Sequence, residues 1–405
     1  MENYTVLIIM VAIGVGFLDL LTDRWPVLQR QLFSITLVGI YFMFAILYYY
    51  GPDIWTYVPY YEDICTPSQL IKDPSLSKPF ELGYGMFCSL LHWIGVSYWG
   101  LTVIIKSLYF IAIGMLLHRL PKRQMFALAC IVLIDRDLIT HENRQCLAVT
   151  FFIFMILLLM NRKYLWALIC ATVTVLMHKT GVMPIGLTLL GIFFYNHRQT
   201  TSIYTLLICF LMAMVALPVQ RISVSILQLL PLPSEYIKAL AHHLLLGRQV
   251  QVVALIYLGV LLSLNLYLSY NTRLKHSWVT YMVLAGMAVV VVAYPYYFLL
   301  ARLRSYFVPI VVYYMVVLMS DPERSKAVPY SSMIKQVLML FILVYYIHFG
   351  IKQEHVSRQL HAPISRKSTV FELRHHSSQE IRNRQMKIAE RYWRLDYMKE
   401  NNNRL

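Results

Sequence analysis

Charge is scarce in this chain: only 14% of its 405 residues are Asp, Glu, Lys or Arg, against 59% hydrophobic, and the mean hydropathy is +0.58. That balance lies outside the range of ordinary soluble domains. Cysteine gives no framework. Of six residues, Cys88, Cys130, Cys146, Cys170 and Cys209 sit in apolar runs and Cys65 stands alone between runs. With no CxxC or Cys/His spacing, metal and redox chemistry have no footing. Internal repeats and low-complexity tracts are lacking too, so neither a solenoid nor repeat-built transporter symmetry is supported. Met1-Glu2-Asn3-Tyr4 places no Lys or Arg ahead of the first apolar run, and no small-residue cleavage site follows it. The run therefore reads as a retained span and not as a signal peptide.

What the chain does have is apolar length. Runs at 5–21, 32–50, 125–134 extending into the polar stretch that follows, 146–160, 164–177, 182–195, 202–219, 250–269, 278–297, 305–319 and 332–349, with one or two more in 80–117, approach the length that crosses about 30 Å of hydrocarbon. The expected fold is all-α: a polytopic integral membrane domain over 1–350 with about twelve transmembrane helices, followed by a basic tail, 351–405. Polar and Pro/Gly clusters such as Thr22-Asp23-Arg24-Trp25-Pro26 and Ser320-Asp321-Pro322-Glu323-Arg324 separate the runs.

Charge placement orients the bundle. The net charge of +16 fits cytoplasmic loops and anionic lipid better than nucleic acid in such a chain. Arg119-Leu120-Pro121-Lys122-Arg123, Asn161-Arg162-Lys163, Arg198, Arg273 with Lys275, and Arg324 with Lys326 mark the cytoplasmic side. Segments 51–80, 135–145, the turn at His178, 220–249 and 295–304 then face outward, provided that 80–117 crosses once in net terms and part of it stays interfacial or re-entrant. Segment 220–249 is basic through Arg221, Lys238, His242, His243 and Arg248, which suits an anionic lipid headgroup or a plain connecting helix. The tail disagrees with this alternation: its twelve Lys/Arg against six Asp/Glu over 352–405 favour the cytoplasm, while the preceding spans place it outside. Its stretch 377–400 has the pattern of an amphipathic surface helix, with a solvated basic tail as the alternative.

Four polar groups share the outward side. In Gly51-Pro52-Asp53-Ile54-Trp55-Thr56-Tyr57-Val58-Pro59-Tyr60-Tyr61-Glu62, flat aromatic faces suit carbohydrate, and a carboxylate among them can take a proton from a sugar hydroxyl. An interfacial aromatic belt explains the rings equally well, but not Asp53. In Asp135-Arg136-Asp137-Leu138-Ile139-Thr140-His141-Glu142-Asn143-Arg144-Gln145, charge stands between apolar runs, and each Arg or Asp costs roughly 2.5–3.5 kcal/mol at mid-span. On one helix His141, Arg144 and Gln145 would share a face, and the Arg144 guanidinium matches phosphate oxygens bidentately; a solvated loop is the plain alternative. Asp135-Arg136-Asp137 has a metal-like spacing, but the intervening Arg favours salt bridging. In Met177-His178-Lys179-Thr180-Gly181, the histidine can act as a general base, bind phosphate or complement a helix end. In Ala301-Arg302-Leu303-Arg304-Ser305-Tyr306-Phe307, arginines two apart reach one site only if the break at Pro295 leaves the backbone irregular.

Taken in order, Gly51-Pro52-Asp53 with Tyr57 and Tyr60, Phe80-Glu81-Leu82-Gly83-Tyr84, Asn143-Arg144-Gln145, His178-Lys179-Thr180-Gly181 and Arg304-Ser305-Tyr306-Phe307 resemble the EpsG family of bacterial polysaccharide polymerases, related to the Wzy O-antigen polymerases. The resemblance spans residues 1 to about 350. It departs from the family in Thr180, where Ser is common, in Asn143, where Ile is usual, and in the basic tail. The resemblance implies a GT-C-like glycosyltransferase of the bacterial inner membrane that polymerises undecaprenyl-pyrophosphate-linked oligosaccharide repeat units at the outer face, as in O-antigen, capsule or exopolysaccharide assembly. A flippase and a chain-length regulator of the same pathway are then candidate partners, beside membrane lipid. Neither a metal nor another cofactor is expected, because arginines can stabilise the leaving pyrophosphate. Arg144, Arg302 and Arg304 are assigned to that group and Asp53 or His178 to the base. Tyr57, Tyr60, Gln145 and Tyr306 are assigned to substrate contact, with Glu81 and Glu142 orienting an Arg or a sugar hydroxyl. A lipid-linked oligosaccharide flippase or transporter, and a ligase using the same donor, are the rival readings.

Overall fold

The computed structural model describes residues 4–21, 25–48, 53–140, 142–196, 278–283, 297–320, 373, 376–387 and 390. Every element among them is helical: α1 (Tyr4–Leu21), α2 (Pro26–Ala45), α3 (Ile54–Glu62), α4 (Pro67–Lys72), a 3-10 turn (Pro74–Ser77), α5 (Leu82–Trp93), α6 (Tyr98–Leu117), α7 (Gln124–Ile134), α8 (Arg136–Thr140), α9 (Asn143–Met160), α10 (Tyr164–Met177), a 3-10 turn (Lys179–Gly181), α11 (Val182–Asn196) and α12 (Tyr297–Ser320). Two helical runs, 278–283 and 378–387, complete the set. Contacts divide the chain into two compact units. One holds α1 to α10 and the run 378–387, and the other holds α11, the run 278–283 and α12 as far as Met315.

Among the described residues three helices are long and apolar enough to cross a membrane: Val27–Ala45 within α2, Tyr98–Leu117 (α6) and Asn143–Met160 (α9). The protein is all-helical among the described residues, with the spans of an integral membrane protein. The expected spans at 202–219, 250–269 and 332–349, and most of 278–297, lie outside the described residues, as does segment 220–249. Burial tells core from lipid face. On α6, Leu101, Ile105, Tyr109, Ala112, Ile113 and Leu116 are wholly buried, a stripe at helical spacing. On α2, Ile35, Val38 and Phe42 are exposed, as are Leu165, Trp166, Leu168 and Ile169 on α10. So much exposed apolar surface suits hydrocarbon and not water.

The first unit has two recognisable ends. At one, the buried Asp19 near the end of α1 accepts the Phe126 N–H of α7 through Oδ2 at 2.8 Å and the Gln29 amide of α2 through Oδ1 at 2.5 Å. Arg119, just past α6, donates to Asn161 Oδ1 in the α9–α10 turn at 2.7 Å. At the other end, Trp99 Nε1 donates to Ala45 O at 3.0 Å and Asn143 Nδ2 donates to the Tyr98 hydroxyl at 3.2 Å. Lys106, buried further along α6, donates to Phe44 O at 2.9 Å. Helix ends leave carbonyls unsatisfied, so Trp99 and Lys106 together close the end of α2.

Helix α5 does not cross. It starts at Glu81 and stops in a Schellman turn, with Gly95 N–H to His92 O at 2.9 Å and Val96 N–H to Leu91 O at 3.0 Å. The turn needs the left-handed φ of +81° that glycine adopts without strain. Val96 O then accepts the Tyr61 hydroxyl of α3 at 2.8 Å, and the Ser89 hydroxyl of α5 bonds Cys65 O. Both ends of α5 therefore lie with α3 at the same end of the unit, so that of the 80–117 stretch only α6 runs from one end of the unit to the other.

Candidate functional site

Glu81 is the hub of the polar cluster at that end. As N-cap of α5 it is held at the surface of the bundle and is nearly buried. Arg144 donates from a terminal guanidinium nitrogen to Glu81 Oε2 at 2.7 Å. The Lys179 N–H donates to Oε1 at 3.2 Å, and His178 turns Nδ1 toward the same oxygen at 3.5 Å. Burial alone would raise the Glu81 carboxyl; the facing His178 imidazole, the Arg144 charge and the Lys179 N–H outweigh it and hold its pKa at about 2. The carboxylate is thus anionic at any physiological pH, which fixes it as an acceptor and as the orienter of two cationic or basic side chains.

Local chemistry explains how three distant segments meet. Arg144 stands in the first turn of α9 and His178 just past the last turn of α10, and two helices joined by the short Asn161 turn bring those ends to the same side. Gly83 lets α5 approach: a Cβ there would lie 2.6 Å from Leu176 Cβ and 2.7 Å from Leu176 O. Only glycine permits this contact without displacing backbone, and the contact sets Glu81 beside His178.

Phe80, walled by aromatic residues of α3, is the floor beneath Arg144. Its guanidinium carbon lies 4.8 Å above the Phe80 ring centroid, within cation–π range. Phe80 is in turn stacked on Tyr57 at 4.9 Å and meets Tyr60 and Tyr84 edge-on at 4.6 and 5.6 Å. The Tyr60 hydroxyl is fixed to Ser77 O at 3.1 Å. The tyrosines expected to pack a sugar thus serve at least in part as walls for the arginine platform. Phe80 and the Lys179 N–H, which residue type alone does not single out, are the parts that complete it. A lone carboxylate next to Phe80 and followed by Gly83 was the available signal.

The other expected site residues fall as follows. Asp53 opens α3, where its carbonyl accepts the Thr56 and Tyr57 N–H groups at 3.0 and 2.9 Å. Glu142 is the N-cap of α9 and half-buried; Gln145, after Arg144, is buried. The stretch expected to place His141, Arg144 and Gln145 on one face is not one helix. α8 stops at Thr140 and α9 starts at Asn143, with His141 outside the described residues. Asp135 and Arg136 are buried and not in a solvated loop, and Arg136 meets Asp137 at 3.4 Å, the salt bridge the spacing favours. In the second unit, Tyr306 bonds the Thr180 hydroxyl at 3.3 Å. Arg302 and Arg304 both lie inside the continuous helix α12, so the irregular backbone that would aim both at one site is not there. Residues two apart leave a helix on opposed faces, and accordingly Arg304 is buried and Arg302 half-buried.

The model of the EpsG family matches residues 31–358. This chain belongs to the EpsG family. Neither the curated proteins nor the solved structures yield a match. Every member of the Glu81, Arg144 and His178 cluster falls within the matched span, and the EpsG family is one of Wzy-like polysaccharide polymerases, so the protein is an integral membrane component of polysaccharide biosynthesis.

Proposed function

We propose that this EpsG-family protein is a GT-C-like glycosyltransferase with about twelve spanning helices in a bacterial inner membrane. It polymerises oligosaccharide repeat units carried on undecaprenyl pyrophosphate at the outer face. The observation that carries the reading is the joint anchoring of Arg144 and His178 on the single carboxylate of Glu81. Transfer breaks the bond from the anomeric carbon to the pyrophosphate, and the departing group gains charge. Arg144, clamped by Glu81 and floored by Phe80, offers its other guanidinium N–H groups to that charge without reorganising. The acceptor hydroxyl loses its proton as the new glycosidic bond forms. With His178 Nδ1 turned to Glu81, Nε2 is the nitrogen that takes this proton, and the carboxylate stabilises the imidazolium produced.

The arrangement also speaks against a flippase. A transporter would hold its cations at mid-span in a central cavity, whereas Glu81, Arg144 and His178 all occupy helix ends. A ligase with the same donor differs only in acceptor. The test is gel laddering of lipid-linked and surface glycans in a deletion strain complemented with wild type or Arg144→Ala at matched membrane levels. Single repeat units in the deletion and in the variant support polymerisation. Long chains persisting in the deletion refute it, and repeat units accumulating on the cytoplasmic face favour the flippase.

A further inference from the structure

We propose that residues 376–387 of the basic tail are a brace docked on α3, at the end of the first unit that carries Glu81, Arg144 and His178, so that this part of the tail lies on the site's side of the membrane. The inference concerns placement within the chain and holds whatever reaction the site performs.

The helix is specified locally. The Ser377 N–H donates to Glu380 Oε2 at 2.9 Å, and the Glu380 N–H donates back to Ser377 Oγ at 3.2 Å, a reciprocal capping box that starts the turn. Its docked face is equally definite. Ile381 and Gln385, one turn apart, are 0% and 4% exposed, which a solvated tail would not show. Arg382 grips Glu62, the last residue of α3, through a two-pronged pair, Nε to Oε1 at 3.0 Å and a terminal nitrogen to Oε2 at 2.5 Å. The hydroxyls of Ser378 and of Tyr48, just past α2, lie 2.6 Å apart. The exposed face carries Gln379, Asn383, Arg384 and Lys387.

Position gives the brace its consequence. Helix α3 supplies Tyr57 and Tyr60, the walls of the Phe80 ring beneath Arg144. Fixing Glu62 fixes the end of the helix that shapes this floor. Placement on the site side runs against the bias that draws Lys and Arg to the cytoplasm. That bias acts weakly on long segments, and Arg382 is neutralised by its partner.

The test uses the full-length chain with Cys65→Ser, in sealed membrane vesicles of uniform orientation, and reads labelling by a membrane-impermeant maleimide above that parent. Ser68→Cys reports the site end and Lys163→Cys the opposite end. Asn383→Cys is expected to label together with Ser68→Cys; labelling together with Lys163→Cys overturns the placement. Gln385→Cys reports docking. Adding Glu62→Arg is expected to speed its labelling about tenfold, as local opening becomes easier, and combining Glu62→Arg with Arg382→Glu to bring the rate back. A rate that Glu62→Arg leaves unchanged, or that the exchanged pair does not restore, overturns the brace.

Discussion

The two ends of the first unit each bury an acidic side chain, and they use it differently. Asp19 gives its two carboxylate oxygens to a backbone N–H of α7 and an amide of α2. These two partners are fixed, neutral and internal, and with them Asp19 makes a joint between three helices. Glu81 also accepts a backbone N–H, from Lys179, but its other partners are a guanidinium and an imidazole. Arg144 commits a terminal nitrogen to Glu81, and its Nε has no hydrogen-bond partner among the described residues. A buried carboxylate satisfied by neutral donors stabilises a fold, whereas one that holds a cation with donors to spare, beside a histidine, prepares a charge for something else. Similar burial therefore accompanies two roles, and the identity of the partners separates them.

The comparison is broken most severely at Arg144. Arg144→Ala is expected to lower chain elongation about 10³-fold, the scale of losing a charge-stabilising donor, with Arg144→Lys recovering little because an ammonium cannot bond Glu81 and a phosphate in one plane. An in vitro elongation assay on purified protein checks both. His178→Gln should cost about 10²-fold by loss of the base, and should flatten the acid limb of the pH–rate profile; an unchanged limb would return the base to Asp53. At the opposite end, Asp19→Ala is expected to cost about 1–3 kcal/mol by orphaning the Phe126 N–H, read as a lowered melting temperature in detergent with elongation per folded molecule unchanged.

Acid sharpens the contrast further. The folded pKa of Glu81, about 2, lies below its ordinary 4.5. Its stabilisation is therefore complete above pH 4.5 and is lost as pH falls toward 2. In Arg144→Ala or His178→Gln the carboxylate loses a partner that depresses its pKa, so the acid-labile contribution should be smaller and its loss complete at a higher pH. Melting curves over that range decide it. The smallest effect belongs to Asn161→Ala, which removes the exposed bond from Arg119 and should change stability by less than about 1 kcal/mol.

Apolar length made the helices legible. The expected runs at 5–21 and 164–177 coincide with α1 and α10 to within a residue, because uninterrupted hydrophobic runs ending at polar turns leave little choice of boundary, whereas the run from 125 stops with α7 at Ile134 and does not extend into the polar stretch. Loop charge also placed Arg144, His178 and segment 51–80 at one end, as the structure does for Arg144, His178 and residues 53–80. Segment 53–77 was less legible: its short α3, α4 and 3-10 turn are set by tertiary contacts to α5, not by periodicity. The site was legible as residue types but not as a network. Glu81 looked secondary because a lone carboxylate carries no spacing signal, and its role comes from the close approach at Gly83. Arg302 and Arg304 show the converse, since regular helix through Tyr297–Ser320 turns two adjacent motif arginines apart.

The most direct test of the central claim measures Arg144→Ala and Asp19→Ala side by side, as elongation rate per folded molecule in reconstituted membranes supplied with lipid-linked repeat units. Arg144→Ala is expected to be folded and inactive, while the folded fraction of Asp19→Ala elongates at the wild-type rate. Wild-type elongation by folded Arg144→Ala would contradict the role given to the Glu81 cluster.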